Sequence, residues 1–150
     1  MVDGDGAVLL MEVTEPKSRT RWWITPGGGI DAGEDDVTAL QRELSEEIGL
    51  ELSAARIGPA VWHRRVMLQW NGESVRQHET YYLVESERFD PVVCRDGDPD
   101  VGWHDAIPRW WTPAEMRGTS DDRFAPVDLA DLLDDLARVG APVEPVDISR

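Results

Sequence analysis

Three glutamates stand at a spacing that can bind a metal ion. Glu43, Glu46 and Glu47 occupy positions i, i+3 and i+4, so a helix places their carboxylates on one side, within an arc of roughly 100°. Like charges at these spacings destabilise an isolated helix by about 0.2–0.5 kcal/mol per pair. A hard divalent cation offsets this repulsion, because Mg²⁺ takes carboxylate oxygens and keeps water molecules for substrate phosphates. The pattern favours a Mg²⁺ site, with a solvated acidic helix as the alternative.

Residues beside the glutamates strengthen the case for a metal site. Arg42 lies four residues before Glu46 and can orient that carboxylate. Glu34 comes just before the predicted helix. A glycine turn after Pro26 lets the backbone take positive φ angles or approach a ligand closely, and we expect it to bind substrate. This turn consists of Gly27, Gly28 and Gly29.

The sequence predicts where the glutamate-bearing helix begins and ends. Asp35 or Asp36 suits the N-cap, where an acidic side chain accepts from free backbone N–H groups. Gly49 is expected at the C′ position, where a left-handed conformation ends a helix. Apolar residues at spacings of three, four and four form one buried stripe on this helix. They are Val37, Leu40, Leu44 and Ile48.

The stretch from Gly28 to Leu50 resembles the Nudix box. The matching pattern is Gly28, five residues, Glu34, seven residues, Arg42-Glu43-Leu44, one residue, Glu46-Glu47, one residue, and Gly49-Leu50. The resemblance implies an α/β (α+β) fold, an α/β/α sandwich around a mixed sheet with the box as loop–helix–loop. It also implies an enzyme, a hydrolase that cleaves a diphosphate bond in a nucleoside diphosphate linked to another group, X. The expected substrates are nucleotide sugars, ADP-ribose, dinucleoside polyphosphates and (d)NTPs.

The same resemblance implies roles for individual residues. Glu43, Glu46 and Glu47 would bind Mg²⁺, with Mn²⁺ as a substitute, and the Gly28 carbonyl would join them. Arg42 and Glu34 would form a supporting ion pair. We expect the general base to be Glu46, or failing that Glu43, because each can reach a water at the metal. Arg21 is a further candidate for binding substrate.

The rest of the chain alternates strand and helix signals. Asn71-Gly72 predicts a tight hairpin turn, which places Arg64 opposite Glu79 and Arg65 opposite His78. Residues 12–21 are expected to be a loop. The other predicted strands are Ala7–Met11, Trp22–Thr25 and Arg109–Thr112, and the other predicted helices are Ala114–Arg117 and Pro126–Val139.

An additional acidic ligand or base from a later loop is expected by the resemblance. The candidates are Glu79, Asp98, Asp100 and Asp105. For Glu79 a structural ion pair with Arg64 is the alternative, and for Asp105 and His104 a surface loop is favoured. Cys94 is expected to be inert. Core packing is favoured over stacking on a nucleobase for the tryptophans, which are Trp22, Trp23, Trp62, Trp103, Trp110 and Trp111.

Length and charge limit the class of protein. At 150 residues we expect one domain, residues 1–140, followed by a flexible tail, residues 141–150. The net charge of −15 argues against binding nucleic acid polymers or anionic membranes, and leaves small nucleotides as ligands. A single cysteine and the lack of a long apolar run favour the cytoplasm.

Three alternatives follow from the same sequence. The chain begins almost at the turn Asp3–Gly6, so we expect a first strand either truncated or encoded upstream. The resulting exposed strand would invite pairing in a homodimer. The related isopentenyl-diphosphate isomerase reaction would require a cysteine in the site, whereas the single cysteine, Cys94, lies in a stretch rich in Gly, Asp and Pro. A non-catalytic domain that senses nucleotide ligands is the alternative outside the enzymes.

Overall fold

The computed structural model describes residues 1–92 and 107–149. Asp98, Asp100, His104, Asp105, Cys94 and Trp103 lie outside them. In chain order the elements are β1 (Val8–Thr14), β2 (Arg21–Ile24), α1 (Asp36–Ile48), a single 3₁₀ turn (Ala54–Arg56), β3 (Ala60–Trp70), β4 (Glu73–Tyr82), β5 (Ile107–Trp111), α2 (Pro113–Gly118), β6 (Phe124–Ala125), α3 (Leu129–Val139) and β7 (Val146–Asp147).

The strands form two mixed sheets with helices on either side. Sheet A has the order β5-β1-β2-β6, and sheet B has the order β4-β3-β7. On one face of sheet A, Leu9 and Met11 pack with Leu44 of α1. On the other face, Leu10 packs in a cluster with Leu133 of α3 and with residues of sheet B. The predicted sandwich is confirmed, and the structure adds that its strands divide into two sheets.

Helix α1 has the ends that its sequence predicts. The Asp35 carboxylate accepts a hydrogen bond from the Thr38 N–H at 2.8 Å, which caps the first turn. Gly49 takes the left-handed conformation, with φ 65° and ψ 24°, and the N–H of Leu50 reaches back to the Leu44 carbonyl at 3.1 Å. These bonds give partners to N–H groups of the first turn and C=O groups of the last turn, which a helix cannot pair internally.

The β3–β4 hairpin has the predicted register. Trp70 pairs with Glu73 across the turn, and Arg64 lies opposite Glu79. Asn71 and Gly72 both have positive φ, at 49° and 80°, as the tight turn requires. The register therefore follows from the turn residues, because the side chains alternate in direction along each strand from that point.

Several predicted bounds were wrong. Glu12 and Arg21 belong to β1 and β2, not to a loop, because the two strands pair from Met11–Ile24 out to Thr14–Arg21. Helix α3 begins at Leu129, not at Pro126. The short strand β6 has no counterpart in the sequence prediction.

The C-terminal residues differ from the flexible tail that was expected. Val146–Asp147 pairs in parallel with β3, the N–H of Ile148 donates to the His63 carbonyl at 2.9 Å, and the Ile148 side chain is buried in the core. Backbone pairing and apolar burial together hold this segment in place.

The first residues are also paired. The N–H of Val2 donates to the Val84 carbonyl at 2.9 Å, and the N–H of Ser86 donates to the Val2 carbonyl at 3.0 Å. Strand β1 has β2 on one side and β5 on the other, so it is not left exposed. Among the described helices, none is long and apolar enough to span a bilayer.

Candidate active site

Arg42 is the centre of the charged cluster on α1. Its Nε and Nη2 donate to the two oxygens of Glu34 at 3.2 and 3.0 Å, a two-bond geometry that fixes the guanidinium plane. Nη2 also donates to the Gly29 carbonyl at 2.8 Å. These bonds attach the glycine turn and Glu34 to the helix.

The same guanidinium holds two of the predicted metal ligands. Nη1 of Arg42 donates to Glu43 at 2.9 Å and to Glu46 at 3.2 Å. The hydrogen bonds that Arg42 donates to Glu34 and then to Glu43 raise the pKa of Arg42 above its usual value, and the bond from Arg42 lowers the pKa of Glu34. Both groups are therefore charged at neutral pH, as an orienting ion pair requires.

Gly28 lies against the carboxylate of Glu43. A Cβ at this position would come within 2.5 Å of Glu43 Cδ and overlap its oxygens. At the neighbouring Gly29 a Cβ would meet nothing within 4 Å. The turn thus needs a glycine at position 28 for a close approach to the acidic face of α1.

Glu47 is held from the other side of the turn. Its Oε2 accepts a hydrogen bond from the Gly27 N–H at 2.9 Å. Burial raises the pKa of Glu47 to about 7, and the charges of Glu43 and Glu46 contribute to the increase. A divalent cation would lower this pKa, because its positive charge favours the carboxylate form.

The donor set suits a hard cation. In the described ranges, no three His, Cys, Asp or Glu side chains are grouped as a complete metal site with these side-chain positions. However, Glu43, Glu46 and Glu47 lie on one face of a single helix, and the backbone of Gly28 lies against the Glu43 carboxylate. Oxygen donors of this kind fit Mg²⁺.

Comparisons with known proteins agree with this geometry. A family model described as NUDIX domain matches residues 1–133. The chain belongs to this family. It is a Nudix-type pyrophosphohydrolase, as the resemblance of its sequence implied.

The chain is similar in sequence to two named proteins and in structure to a third. The chain is 32% identical to the putative 8-oxo-dGTP diphosphatase 2 of Mycobacterium tuberculosis, over 88% of this chain and 82% of that protein. It is 28% identical to the nucleoside triphosphatase NudI of Salmonella paratyphi B, over 77% and 80%. The solution structure of the E. coli ORF135 protein superposes with a TM-score of 0.62 at 23% identity, covering 96% of this chain and 90% of that one, which shows the shared fold.

The structure brings most of the predicted Nudix site together. Direct contacts connect Gly27, Gly28, Gly29, Glu34, Arg42, Glu43, Glu46 and Glu47. Arg21 is not part of this cluster. It starts β2, at the opposite end of the strand from the glycine turn, and its exposed side chain pairs with Glu12 at 3.3 Å. Arg21 is therefore poorly placed to bind substrate at the glutamates.

A small cavity that reaches Pro26, the residue before the glycine turn, was not predicted. It has a volume of about 80 Å³, and Thr25 and Pro26 form part of its wall. Three aromatic residues from the hairpin, Trp62, Tyr81 and Tyr82, also line it. The hairpin register contained this information, since it places Trp62 and Tyr81 on one face. What it could not show is that Trp62 and Tyr81 share a cavity with Thr25 and Pro26.

Glu79 forms the predicted ion pair with Arg64, at 3.2 Å, and both side chains are largely buried. The hydroxyl of Tyr81 also donates to Glu79 Oε2, at 2.5 Å. Burial, and then the charge of Glu79, raise the pKa of Tyr81, so it remains a neutral donor.

Proposed function

We propose that this Nudix enzyme hydrolyses nucleoside triphosphates in a Mg²⁺-dependent reaction. The observation that carries the proposal is the Arg42 cluster, in which one guanidinium positions Glu43 and Glu46 while Glu34 fixes the guanidinium. The two relatives are named for triphosphate substrates, which favours (d)NTPs over the other nucleotides expected from the sequence.

Glu43, Glu46, Glu47 and the Gly28 carbonyl would hold the metal. When bound, Mg²⁺ neutralises the diphosphate and stabilises charge on the leaving phosphate. Water attacks phosphorus, the bridging P–O bond breaks, and the leaving phosphate takes the electron pair. We assign the proton from water to Glu46. Its side chain is 60% exposed whereas that of Glu43 is 15% exposed, so Glu46 is the more accessible to water.

Net charge bears on the size of the substrate, and cysteine content bears on the cellular compartment of the protein. A net charge of −15 repels extended polyanions, so the substrate is a small nucleotide that a cation can shield. The single cysteine suits a reducing compartment, and we propose the cytoplasm.

Turnover of a nucleotide panel tests the proposal. The panel contains dNTPs, 8-oxo-dGTP, ADP-ribose, nucleotide sugars and dinucleoside polyphosphates, each with Mg²⁺, and release of phosphate or pyrophosphate is measured. Glu46→Gln combined with Glu47→Gln should reduce kcat by about 10²–10⁴-fold, the usual contribution of acid–base groups. Glu51→Gln, an exposed acid just beyond α1, should leave kcat unchanged and serves as the control.

Three results would contradict the proposal in whole or in part. Absence of turnover by the wild-type protein would favour the non-catalytic alternative. Full activity in the double variant would show that the α1 glutamates are not the catalytic groups. Preference for ADP-ribose or a nucleotide sugar would leave the reaction class intact and refute the triphosphate assignment.

A further inference from the structure

The outer edge of strand β3 is open over part of its length. Strand β7 pairs with this edge only as far as His63, and the Arg65 N–H donates to Ser149 Oγ at 2.8 Å. Backbone groups alternate in direction along an antiparallel strand, so those of Met67 and Gln69 point to the same side as those of Arg65, away from β4. Among the residues that the structure describes, no strand pairs with Met67 or Gln69 on that side.

Two hydrogen bonds set the limits of this open stretch. At one end the Arg65 N–H is taken by Ser149, and at the other end the Asn71 N–H donates to Glu15 Oε1 at 2.6 Å. The residues between them are Val66–Trp70, with the sequence VMLQW. Unpaired N–H and C=O groups along a strand are a template on which another strand can pair.

The open stretch lacks the features that usually protect a strand edge, which are charged residues, proline and bulges. Val66–Trp70 contains no charged residue and no proline, and its register with β4 is regular throughout. The outer strands β4 and β5 differ, because β4 carries Arg76 and β5 contains Pro108 followed by Arg109. Of these edges, the open stretch of β3 is therefore the one best suited to pair with another chain.

The sequence of the open stretch is complementary to itself. Antiparallel pairing about a two-fold axis at its midpoint places Leu68 opposite Leu68 of a second copy. The same axis pairs Met67 with Gln69 of the second copy, and these residues have the outward backbone groups that can exchange both hydrogen bonds. It also pairs Val66 with Trp70 of the second copy. Every cross-strand pair thus joins uncharged side chains, and no like charges oppose each other.

We propose that two copies of this protein associate by antiparallel pairing of Val66–Trp70, which joins their hairpins into one continuous sheet. This surface differs from the exposed first strand that the sequence predicted, because β1 has a partner strand on both sides. A ladder of this length is small beside the about 1,200–2,000 Å² that stable interfaces bury. The dimer is therefore reversible, with an expected Kd of about 10–100 µM.

Sedimentation equilibrium of the whole protein, with a reducing agent present, measures this Kd and tests the proposal without any need for turnover. Gln69→Pro removes an outward N–H but no bond of the β3–β4 ladder. It should raise the Kd at least about tenfold, because the two-fold axis repeats the lost bond. Ser74→Pro is the matched control. Ser74 lies opposite Gln69, its N–H points to the outer side of β4, and either proline removes the hydrogen bond between the two side chains. Ser74→Pro should dimerise as wild type does.

Disulfide crosslinking tests the register of the pairing. In a Cys94→Ser background, Leu68→Cys places two thiols opposite each other at a pair that exchanges no hydrogen bonds. The Cα atoms of such a pair lie about 4.5 Å apart, within the range that a disulfide spans, so mild oxidation should yield a covalent dimer. Val75→Cys is the matched control. Val75 lies opposite Leu68 on the same face of the hairpin, but one strand farther from the axis, and it should not crosslink.

Met67→Lys keeps the test valid if Gln69→Pro fails to fold. The Met67 side chain is 59% exposed, so lysine there should leave the urea midpoint of the monomer unchanged. Its charge beside the two-fold axis should nevertheless raise the Kd at least about tenfold. The proposal is overturned if wild type remains monomeric up to about 1 mM, or if Met67→Lys has the Kd of wild type. It is also overturned if the two proline variants fold and have equal Kd values, or if the two cysteine variants crosslink to the same extent.

Discussion

One arginine organises the chemistry of this site at the scale of single residues. Arg42 contacts Glu34, Glu43 and Glu46 together with the Gly29 carbonyl. A lysine could not replace it, because an ammonium group lacks the planar fork that binds Glu34 through two parallel bonds while reaching other acceptors. The position of each carboxylate thus depends on a single guanidinium.

Gly28→Ala should reduce activity far more than Gly29→Ala. A Cβ at residue 28 would displace the Glu43 carboxylate, whereas at residue 29 it would meet nothing within 4 Å. Displacing a catalytic group by about 1 Å can cost roughly 10²-fold in rate, so we expect a kcat/KM loss of that order for Gly28→Ala. The Mg²⁺ concentration needed for half-maximal rate should also rise.

Gly29→Ala serves as the matched control for Gly28→Ala. Neither glycine has a positive φ, so alanine causes no backbone strain at either position. Equal activity of the two variants would show that contact with Glu43 is not what requires glycine at position 28.

At the scale of elements, a buried glutamate joins two hairpin turns. Glu15 follows β1, and its carboxylate accepts hydrogen bonds from the N–H of Ser18 in its own turn and, at 2.6 Å, from the N–H of Asn71 in the β3–β4 turn. These bonds, chiefly those of Ser18, lower the pKa of Glu15 from 4.5 to about 2. The two sheets are therefore connected at their turns by one charged group.

This arrangement predicts a pH-dependent effect of Glu15→Gln. Because folding lowers the pKa, the ionised carboxylate stabilises the fold above pH 4.5, and that contribution disappears as pH falls toward about 2. The variant should have a lower urea midpoint than wild type at neutral pH. The difference between the two midpoints should decrease as the pH falls from 4.5 toward about 2. The charge-based account would be refuted if the midpoint difference did not change with pH. It would also be refuted if the exposed Glu73→Gln lowered the midpoint by the same amount as Glu15→Gln.

At the scale of the whole molecule, the C-terminal segment completes the core. Ile148 is 8% exposed and packs in the cluster that contains Trp62 and Leu133. The adjoining strand β7 pairs with β3, the strand that carries Arg64. The residues near the C-terminus thus support the hairpin from its other edge.

Ile148→Ala should lower the free energy of unfolding by about 2 kcal/mol, the lower end of the range for a buried aliphatic side chain. Val143→Ala, at a fully exposed position in the same segment, should change it by less than about 0.5 kcal/mol. Denaturant unfolding of both variants checks this. If both variants change the free energy of unfolding by similarly small amounts, the C-terminal segment does not contribute to the core in solution.

Local residue chemistry was enough to predict the elements that carry the site. The bounds of α1 follow from Asp35 and Gly49, because a cap and a left-handed glycine act within one turn of the helix. The pairing of Arg64 with Glu79 follows from Asn71-Gly72, because a tight turn determines every later pair in the two strands. The sequence by itself therefore determined the acidic helix face and the hairpin register.

Only the tertiary structure decided how these elements meet. The two-residue strands β6 and β7 have no local signal, since their stability comes from pairing with distant strands and from burial of residues such as Ile148. The separation of Arg21 from the Arg42 cluster, and the position of Trp62 and Tyr81 on the same cavity as Pro26, depend on how the sheets and helices pack together. Spacing along the chain encodes neither, because such contacts form between segments far apart in sequence.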